Sequence, residues 1–510
     1  MRINFYTEFS KTTSKNADKI AVIDSEKSFS FKELQILENS YALALNEIIK
    51  NAKNKPIGVF LPKSFQAIAS DIAIIHTANI YMNLDVKYPS ERLKNIFNEI
   101  KPICIITNLK FADILREISL EIPLLIIDEI KENSSFNAKL DEKINTQIDT
   151  DPFCIINTSG STGTPKGVVL NSRGFFDFVD CASERWGLSD DEIIGSLSPI
   201  IFDIFSFELC LLMSKSACIA CIPENSNMFP VRILEFLQKN SVSFIFWVPT
   251  IMVNIANLNL LENFKLPSLK HIWFAGEVFP TKQLNIWYRN FKNAKFVNLY
   301  GPIEITLDCI WYEITHEMDE NKPIPIGKAC QNTNILLLNE NDEEAKNGDE
   351  GEICVRGTGL AMGYYNNPQK TAKAFVQNPL NNAYIELIYR TGDIGVCDEN
   401  GDIIFKGRKD TLIKHSGYRI ELSEIEHIII NKLRLVKNAC VVYNHNKKEI
   451  TLIYENDSVL EAGFVRKELA KELPKYMIPT AFVRLDAMPL GATGKIDRAL
   501  LNKEINKDIK

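Results

Sequence analysis

The segment Thr158-Ser159-Gly160-Ser161-Thr162-Gly163-Thr164-Pro165-Lys166-Gly167 concentrates glycines, hydroxyls and one lysine directly after the apolar run 153–156. Glycines let the backbone curl with its N–H groups turned inward, the hydroxyls add donors and Lys166 adds positive charge: a cradle for phosphate. A Walker A loop needs Gly and Lys adjacent with Ser or Thr next, whereas Lys166 lies between Pro165 and Gly167, so this loop is of another kind. Downstream, Asn298-Leu299-Tyr300-Gly301-Pro302-Ile303-Glu304 ends an apolar run with a Gly-Pro turn, where open α/β sheets bind ligands. Carboxylates recur in Phe202-Asp203 and Tyr389-Arg390-Thr391-Gly392-Asp393, and charged side chains in Gly407-Arg408-Lys409-Asp410 and Gly491-Ala492-Thr493-Gly494-Lys495-Ile496-Asp497-Arg498.

These residues need a scaffold. In the first three hundred residues short apolar runs alternate with helical patterns: 57–61 before an amphipathic stretch 65–82, 103–107 before 111–118, 244–248 before 250–261, 272–275 before 282–291, and 296–299 before the Gly301 turn. Repeated βα units predict parallel strands with helical crossovers. Beyond about Pro325 the pattern changes to strand pairs, 333–338 with 349–356, and 395–397 with 403–405 across Asn400-Gly401, which favours a hairpin because both residues tolerate positive φ. From about Asp410 a helix 421–433, strands 439–443 and 450–454, a helix 461–473 and a strand 481–485 predict a small α+β domain. The expected fold is therefore α/β: a large body, 1–408, with parallel βα-built sheets and an antiparallel barrel-like addition, and a C-terminal domain, 409–510.

Length and composition agree. The 510 residues exceed one core, and 45% hydrophobic content with 24% charge excludes a disordered chain. The net charge of −7 gives no support to a nucleic-acid binder. Residues 410–510 nonetheless carry 17 Lys and Arg against 14 Asp and Glu, a net of +3 that reads either as ordinary solvated surface or as a face for an acidic partner. The 11 cysteines form no regular framework and read as unpaired thiols of a reducing compartment, with Cys218 and Cys221 as buried packing. The N-terminus lacks a signal pattern and no apolar run approaches the ~20 residues of a bilayer span, so a cytoplasmic protein is expected.

With these motifs in order, nearly the whole chain, from about Phe29 to Arg498, resembles the adenylate-forming ligases: acyl-CoA synthetases, luciferases and amino-acid adenylation domains of peptide synthetases. Within them Phe274-Ala275-Gly276-Glu277-Val278 and the run 407–426 are most similar to stand-alone D-alanine–carrier-protein ligases. The resemblance implies ATP and Mg²⁺ as cofactors. It places the nucleotide on Thr158, Ser159, Gly160, Ser161, Thr162, Gly163, Lys166, Asn298, Leu299, Tyr300, Gly301, Pro302, Ile303, Asp393, Arg408 and Lys495. Tyr300 would stack on adenine, Asp393 bind the ribose and Glu304 hold the metal. It implies catalytic roles for Lys166, Glu304 and Lys495, the last bridging substrate carboxylate and α-phosphate. Asp410 would be the hinge of a mobile lid, and 413–421 would line a pantetheine tunnel. His415 in that loop is discounted as a general base, because a thiol attacking an acyl adenylate needs mostly positioning.

For the acid that is activated, the resemblance puts Asp203 where amino-acid-activating members pair a carboxylate with the α-ammonium. The pocket carried over by motif is Ile204, Phe207, Phe246, Trp273, Ala275, Leu299, Leu307, Asp308 and Lys495. Its three large aromatics favour a small side chain. Asp308 facing inward would want the hydroxyl or amine of serine or a short diamino acid; facing outward, alanine or glycine fits. D-alanine ligases carry cysteine where Ala275 stands. Ile303 replaces the family's threonine and removes a contact to the phosphate, worth about 1.5–3 kcal/mol, yet an active enzyme is expected. The dozen residues after Arg498 hold no carrier domain, so the phosphopantetheine thiol is expected on a separate acyl or peptidyl carrier protein. An acyl- or aryl-CoA synthetase and a degenerate nucleotide-binding regulator are the alternative readings.

Overall fold

The computed structural model describes residues 2–506 except 26, 51, 119–120, 134–137, 159–164, 410–411, 457 and 490–495. Two compact units emerge. One comprises Met1–Val86, Pro102–Ile156 and Val168–Gly407; the other comprises Lys87–Lys101, Asn157–Gly167 and Arg408–Lys510.

The first unit is built around sheets whose central parallel strands are buried on both faces, as helical crossovers require. In one, Ile20–Asp24, Cys218–Cys221, Ile193–Ser196, Phe244–Trp247, His271–Ala275 and Lys295–Tyr300 run parallel, with antiparallel Lys27–Ser30 at one edge and Ile310–Ile314 and Lys328–Ala329 at the other. In another, Pro152–Thr158, Ile80–Asn83, Pro56–Phe60, Cys104–Thr107 and Leu124–Ile126 lie side by side, with Lys166–Asn171 and Gly363–Tyr364 beyond Pro152–Thr158. A third, antiparallel sheet of Thr333–Leu338, Glu350–Gly357, Leu387–Cys397, Phe375–Gln377 and Ile403–Arg408 curls into a half-barrel, so the mixed α/β class holds.

Local chemistry sets the helices that matter for the site. Helix Ser172–Trp186 begins at Asn171, whose side chain accepts from Gly174 N at 3.0 Å, and ends at Gly187 in the left-handed region. Helix Phe31–Ile49 starts with a reciprocal capping box between Ser30 and Glu33. The amphipathic stretch expected over 65–82 is corrected: the helix is Phe65–His76, and Ile80–Asn83 is a strand. Ala78 at φ 55° breaks the helix, and the run Ile80-Tyr81-Met82-Asn83 is buried between neighbouring strands. A short apolar run of this kind has no periodicity that separates helix from strand.

The second unit has its own core of Ile420, Ile425, Ile429, Val441, Leu452, Val465, Leu469 and Met477. Its strands Asn438–Asn444 and Glu449–Glu455 pair antiparallel, with Ala481–Leu485 added parallel. The helix expected over 421–433 is a short α-helix Leu422–His427 that widens to a π-turn at Ile428–Lys432. Here Arg92 places its guanidinium 2.9 Å from Glu424, both side chains almost wholly buried.

Candidate active site

Strand Lys295–Tyr300 delivers the first cluster. It ends at Gly301, and a 3-10 turn Ile303–Ile305 follows. A Cβ on Gly301 would sit 2.2 Å from the carbonyl oxygen of Leu307 and 2.5 Å from Asp308 Cα, so only glycine lets the two backbone stretches meet. The return stretch is itself strained: Thr306 and Leu307 have φ of 58° and 67°, uncommon for side chains of these shapes. Cys309 N then donates to Tyr300 O at 2.8 Å and closes the turn.

Within this turn Tyr300 is buried and its phenol donates to Asp393. Burial, with the Asp393 charge behind it, pushes the Tyr300 hydroxyl far above its usual range, which keeps the donor protonated. Asp393 is fixed in turn by its own N–H, which donates to Thr391 Oγ1 at 3.0 Å, while Thr391 donates to Ile353 O at 2.7 Å. The residues expected on adenine and on ribose are thus brought together. Glu304 is fully buried and accepts from Tyr364 Oη at 2.8 Å. Asn298 Nδ2 donates to Pro325 O at 2.8 Å, Leu299 and Pro302 are buried, and Ile303 is half-buried.

Asp203 opens helix Asp203–Lys215, where the helix dipole favours a carboxylate, and its Oδ1 accepts from Ile204 N at 3.0 Å. One turn on, Phe207 lies parallel to Trp273 with ring centroids 6.2 Å apart, and Phe246 meets Trp273 edge-on at 5.9 Å. All three are fully buried, and Ala275 and Leu307 nearly so. Trp273 Nε1 and Trp186 Nε1 are buried with no hydrogen-bond partner among the described residues. Among the described residues expected at the substrate, Asp308 alone lines a small cavity of about 20 Å³ shared with Gly174, Asp177, Cys181, Thr306 and Cys330.

In the second unit, Thr158 is buried at the end of its strand and Lys166 opens the next. The phosphate-loop motif therefore joins two strands, unlike a P-loop, which opens a helix. Arg408 is half-buried. The flanks of the C-terminal glycine loop, Pro489 and Asp497, are tied by a 2.8 Å backbone hydrogen bond, and Arg498 forks Glu426 with two contacts of 2.7 Å. His415 Nδ1 lies 3.1 Å from Tyr443 Oη. Ser159, Gly160, Ser161, Thr162, Gly163, Asp410 and Lys495 lie outside the described residues.

Sequence reasoning missed Tyr364, which is 60 residues from Glu304, and the Cys181 and Cys330 pair at the cavity. No spacing rule links such distant positions. The cysteines of the 218–221 strand are buried and free, as expected. No helix among the described residues is long and apolar enough to cross a membrane.

Comparison with known proteins agrees with this fold. The family described as AMP-binding enzyme matches residues 9–365. Zwittermicin A synthase ZmaJ of Bacillus cereus is 31% identical over 503 residues, covering 97% of this chain and 93% of that protein. Tyrocidine synthase 1 of Brevibacillus parabrevis is 28% identical over 487 residues, which are 95% of this chain but only 43% of that longer protein. Among solved structures, the Vibrio cholerae adenylation domain AlmE, in complex with glycyl-adenosine-5'-phosphate, superposes with a TM-score of 0.83 at 18% identity, covering 99% of this chain and 98% of that one.

Proposed function

We propose that this chain, which belongs to the AMP-binding enzyme family, activates a small amino acid as aminoacyl-AMP and passes it to the phosphopantetheine thiol of a separate carrier protein. The chain is an adenylate-forming, AMP-forming ligase of the amino-acid adenylation type; the amino acid, the carrier and a cytoplasmic setting are the proposal.

The observation that carries the substrate reading is the placement of Asp203. A half-buried carboxylate at the head of a helix, one turn before Phe207 and its ring contacts with Trp273 and Phe246, suits an α-ammonium group beside limited volume. The Gly301 turn supports the nucleotide reading, because it fixes Tyr300, Asp393 and Glu304 in one structural unit. Glu304 offers a hard oxygen, which suits Mg²⁺. Among the described residues no group of three or more His, Cys, Asp or Glu could hold an ion, so the protein would supply little more than Glu304 and the phosphates the rest, as Mg²⁺ sites usually do. When bound, the metal would neutralise phosphate charge. In the adenylation step a substrate carboxylate oxygen attacks the α-phosphorus and pyrophosphate leaves, with Lys166 and Lys495 assigned to the developing charge.

A pyrophosphate-exchange screen over L- and D-amino acids tests this reading. Stimulation by one or a few small amino acids is expected. Exchange driven by other carboxylic acids and by no amino acid would replace it with a CoA-ligase reading.

A further inference from the structure

The cavity beside Asp308 holds chemistry that adenylate formation does not use. Cys181, in helix Ser172–Trp186, and Cys330, just after strand Lys328–Ala329, both line it and both are free thiols, 149 positions apart. Lining one small cavity, each thiol is the leading electrostatic influence on the other. The Gln331 backbone, which also lines the cavity, and the positive charge of Arg185, one helical turn along, both favour the Cys181 thiolate. Arg185 is held there with its guanidinium carbon 4.4 Å from the centre of the Trp311 ring.

We propose that Cys181 and Cys330 form an oxidative modification site, in which a small hydroperoxide entering the cavity converts the thiol pair to a disulfide. The cavity, at about 20 Å³, has room for a molecule of about water's size, and it is lined by the polar groups of Thr306, Gln331, Thr333 and Thr358. Cys181 is the attacking sulfur. The neighbouring Cys330 lowers its pKa, against the effect of burial and with help from the Gln331 backbone and Arg185, while Cys181 and burial raise that of Cys330. Asp177 and Asp308 line the same cavity and oppose the thiolate, and the cation at Arg185 stands against them.

The electrons balance. The Cys181 thiolate attacks one peroxide oxygen; the S–O bond forms, the O–O bond breaks and hydroxide or alkoxide leaves, so the sulfur is oxidised and the peroxide reduced. The Cys330 sulfur then displaces hydroxide from the sulfenic sulfur; the S–S bond forms, and the thiol proton leaves with that hydroxide as water. The linkage reaches the nucleotide turn through the backbone, because Cys330 N donates to Cys309 O and Cys309 N to Tyr300 O, each at 2.8 Å. Pulling Cys330 toward the helix therefore strains the stretch that carries Asp308 and Tyr300, and adenylate formation falls with it. That consequence rests on the proposed function; the thiol chemistry does not.

The test treats the full chain with hydrogen peroxide and maps its peptides without reduction. Two of the 11 thiols should be lost, with a Cys181–Cys330 cross-linked peptide that dithiothreitol removes. ATP–pyrophosphate exchange should drop on linkage and return on reduction, while Cys181→Ser and Cys330→Ser each keep their own untreated rate after peroxide. Retention of all thiols, or a linkage between other cysteines, overturns the site; the cross-link with undiminished exchange overturns its coupling to the nucleotide turn. The peptide map on the unsubstituted chain decides the first point even where a variant fails to fold.

Discussion

Tyr300 and Asp393, 93 positions apart, are joined by a buried hydrogen bond from phenol to carboxylate. The bond holds the tyrosine ring at the end of its strand and turns one carboxylate oxygen of Asp393 toward it. A residue expected to stack on a base and one expected to hold a sugar thus share a single rigid unit.

Removing the donor leaves a buried acceptor short of a partner. Tyr300→Phe should cost about 1–3 kcal/mol of stability, seen as a lower urea midpoint, and should raise the KM for ATP. An unchanged midpoint would show that the bond carries no structural weight.

The Gly301 turn tolerates no side chain. Gly301→Ala drives a Cβ against the Leu307 carbonyl, and backbone must move to relieve it. A stability loss of about 1–3 kcal/mol is expected, with a larger proportional loss of pyrophosphate exchange, since the displaced stretch holds Glu304 and Asp308. Wild-type exchange in a folded variant would refute the close-approach argument.

His76 makes stability depend on pH. Burial would lower its pKa, but the Glu38 charge, the Asp141 carboxylate 3.6 Å from Nε2 and the 3.2 Å contact of Nδ1 with Glu38 prevail and raise it from 6.5 to about 9. Tyr6 stacks on the imidazole at 3.8 Å and donates to Glu38, and burial holds its own titration far above this window. The imidazolium therefore contributes fully below pH 6.5 and is lost as pH rises through about 9. Denaturation midpoints should fall across that window by on the order of 1–3 kcal/mol in the wild type, and His76→Gln should flatten the fall. A variant with the same slope would assign the pH dependence elsewhere.

Arg92 and Glu424 test the second unit. Replacing the arginine by methionine keeps the volume but strands a buried carboxylate, which should cost about 3–5 kcal/mol. Thermal unfolding of the full chain should gain an earlier transition; a loss below about 1 kcal/mol would mean solvent reaches Glu424.

Asp203→Ala should abolish amino-acid-dependent exchange while nucleotide binding, followed by ATP titration, stays near wild type. Equal loss of both would move Asp203 from the amino-acid site to a structural role.

The alternation of apolar runs with helical patterns made the parallel sheets legible, and the Asn400-Gly401 hairpin was readable from two residues. Periodicity failed at 65–82, where a helix and a strand buried on all sides look alike. The ordered glycine, hydroxyl and carboxylate motifs identified the family, because each residue type is demanded locally by a turn or a charge. What the motifs left undecided was their mutual contacts. That Tyr300 reaches Asp393, that Tyr364 caps Glu304, that Asp308 opens on the Cys181–Cys330 cavity and that Gly301 meets Leu307 depend on chain segments brought together by sheet pairing and burial. Local sequence specifies the chemistry each side chain can offer; only packing, which acts between residues far apart along the chain, decides which of them touch.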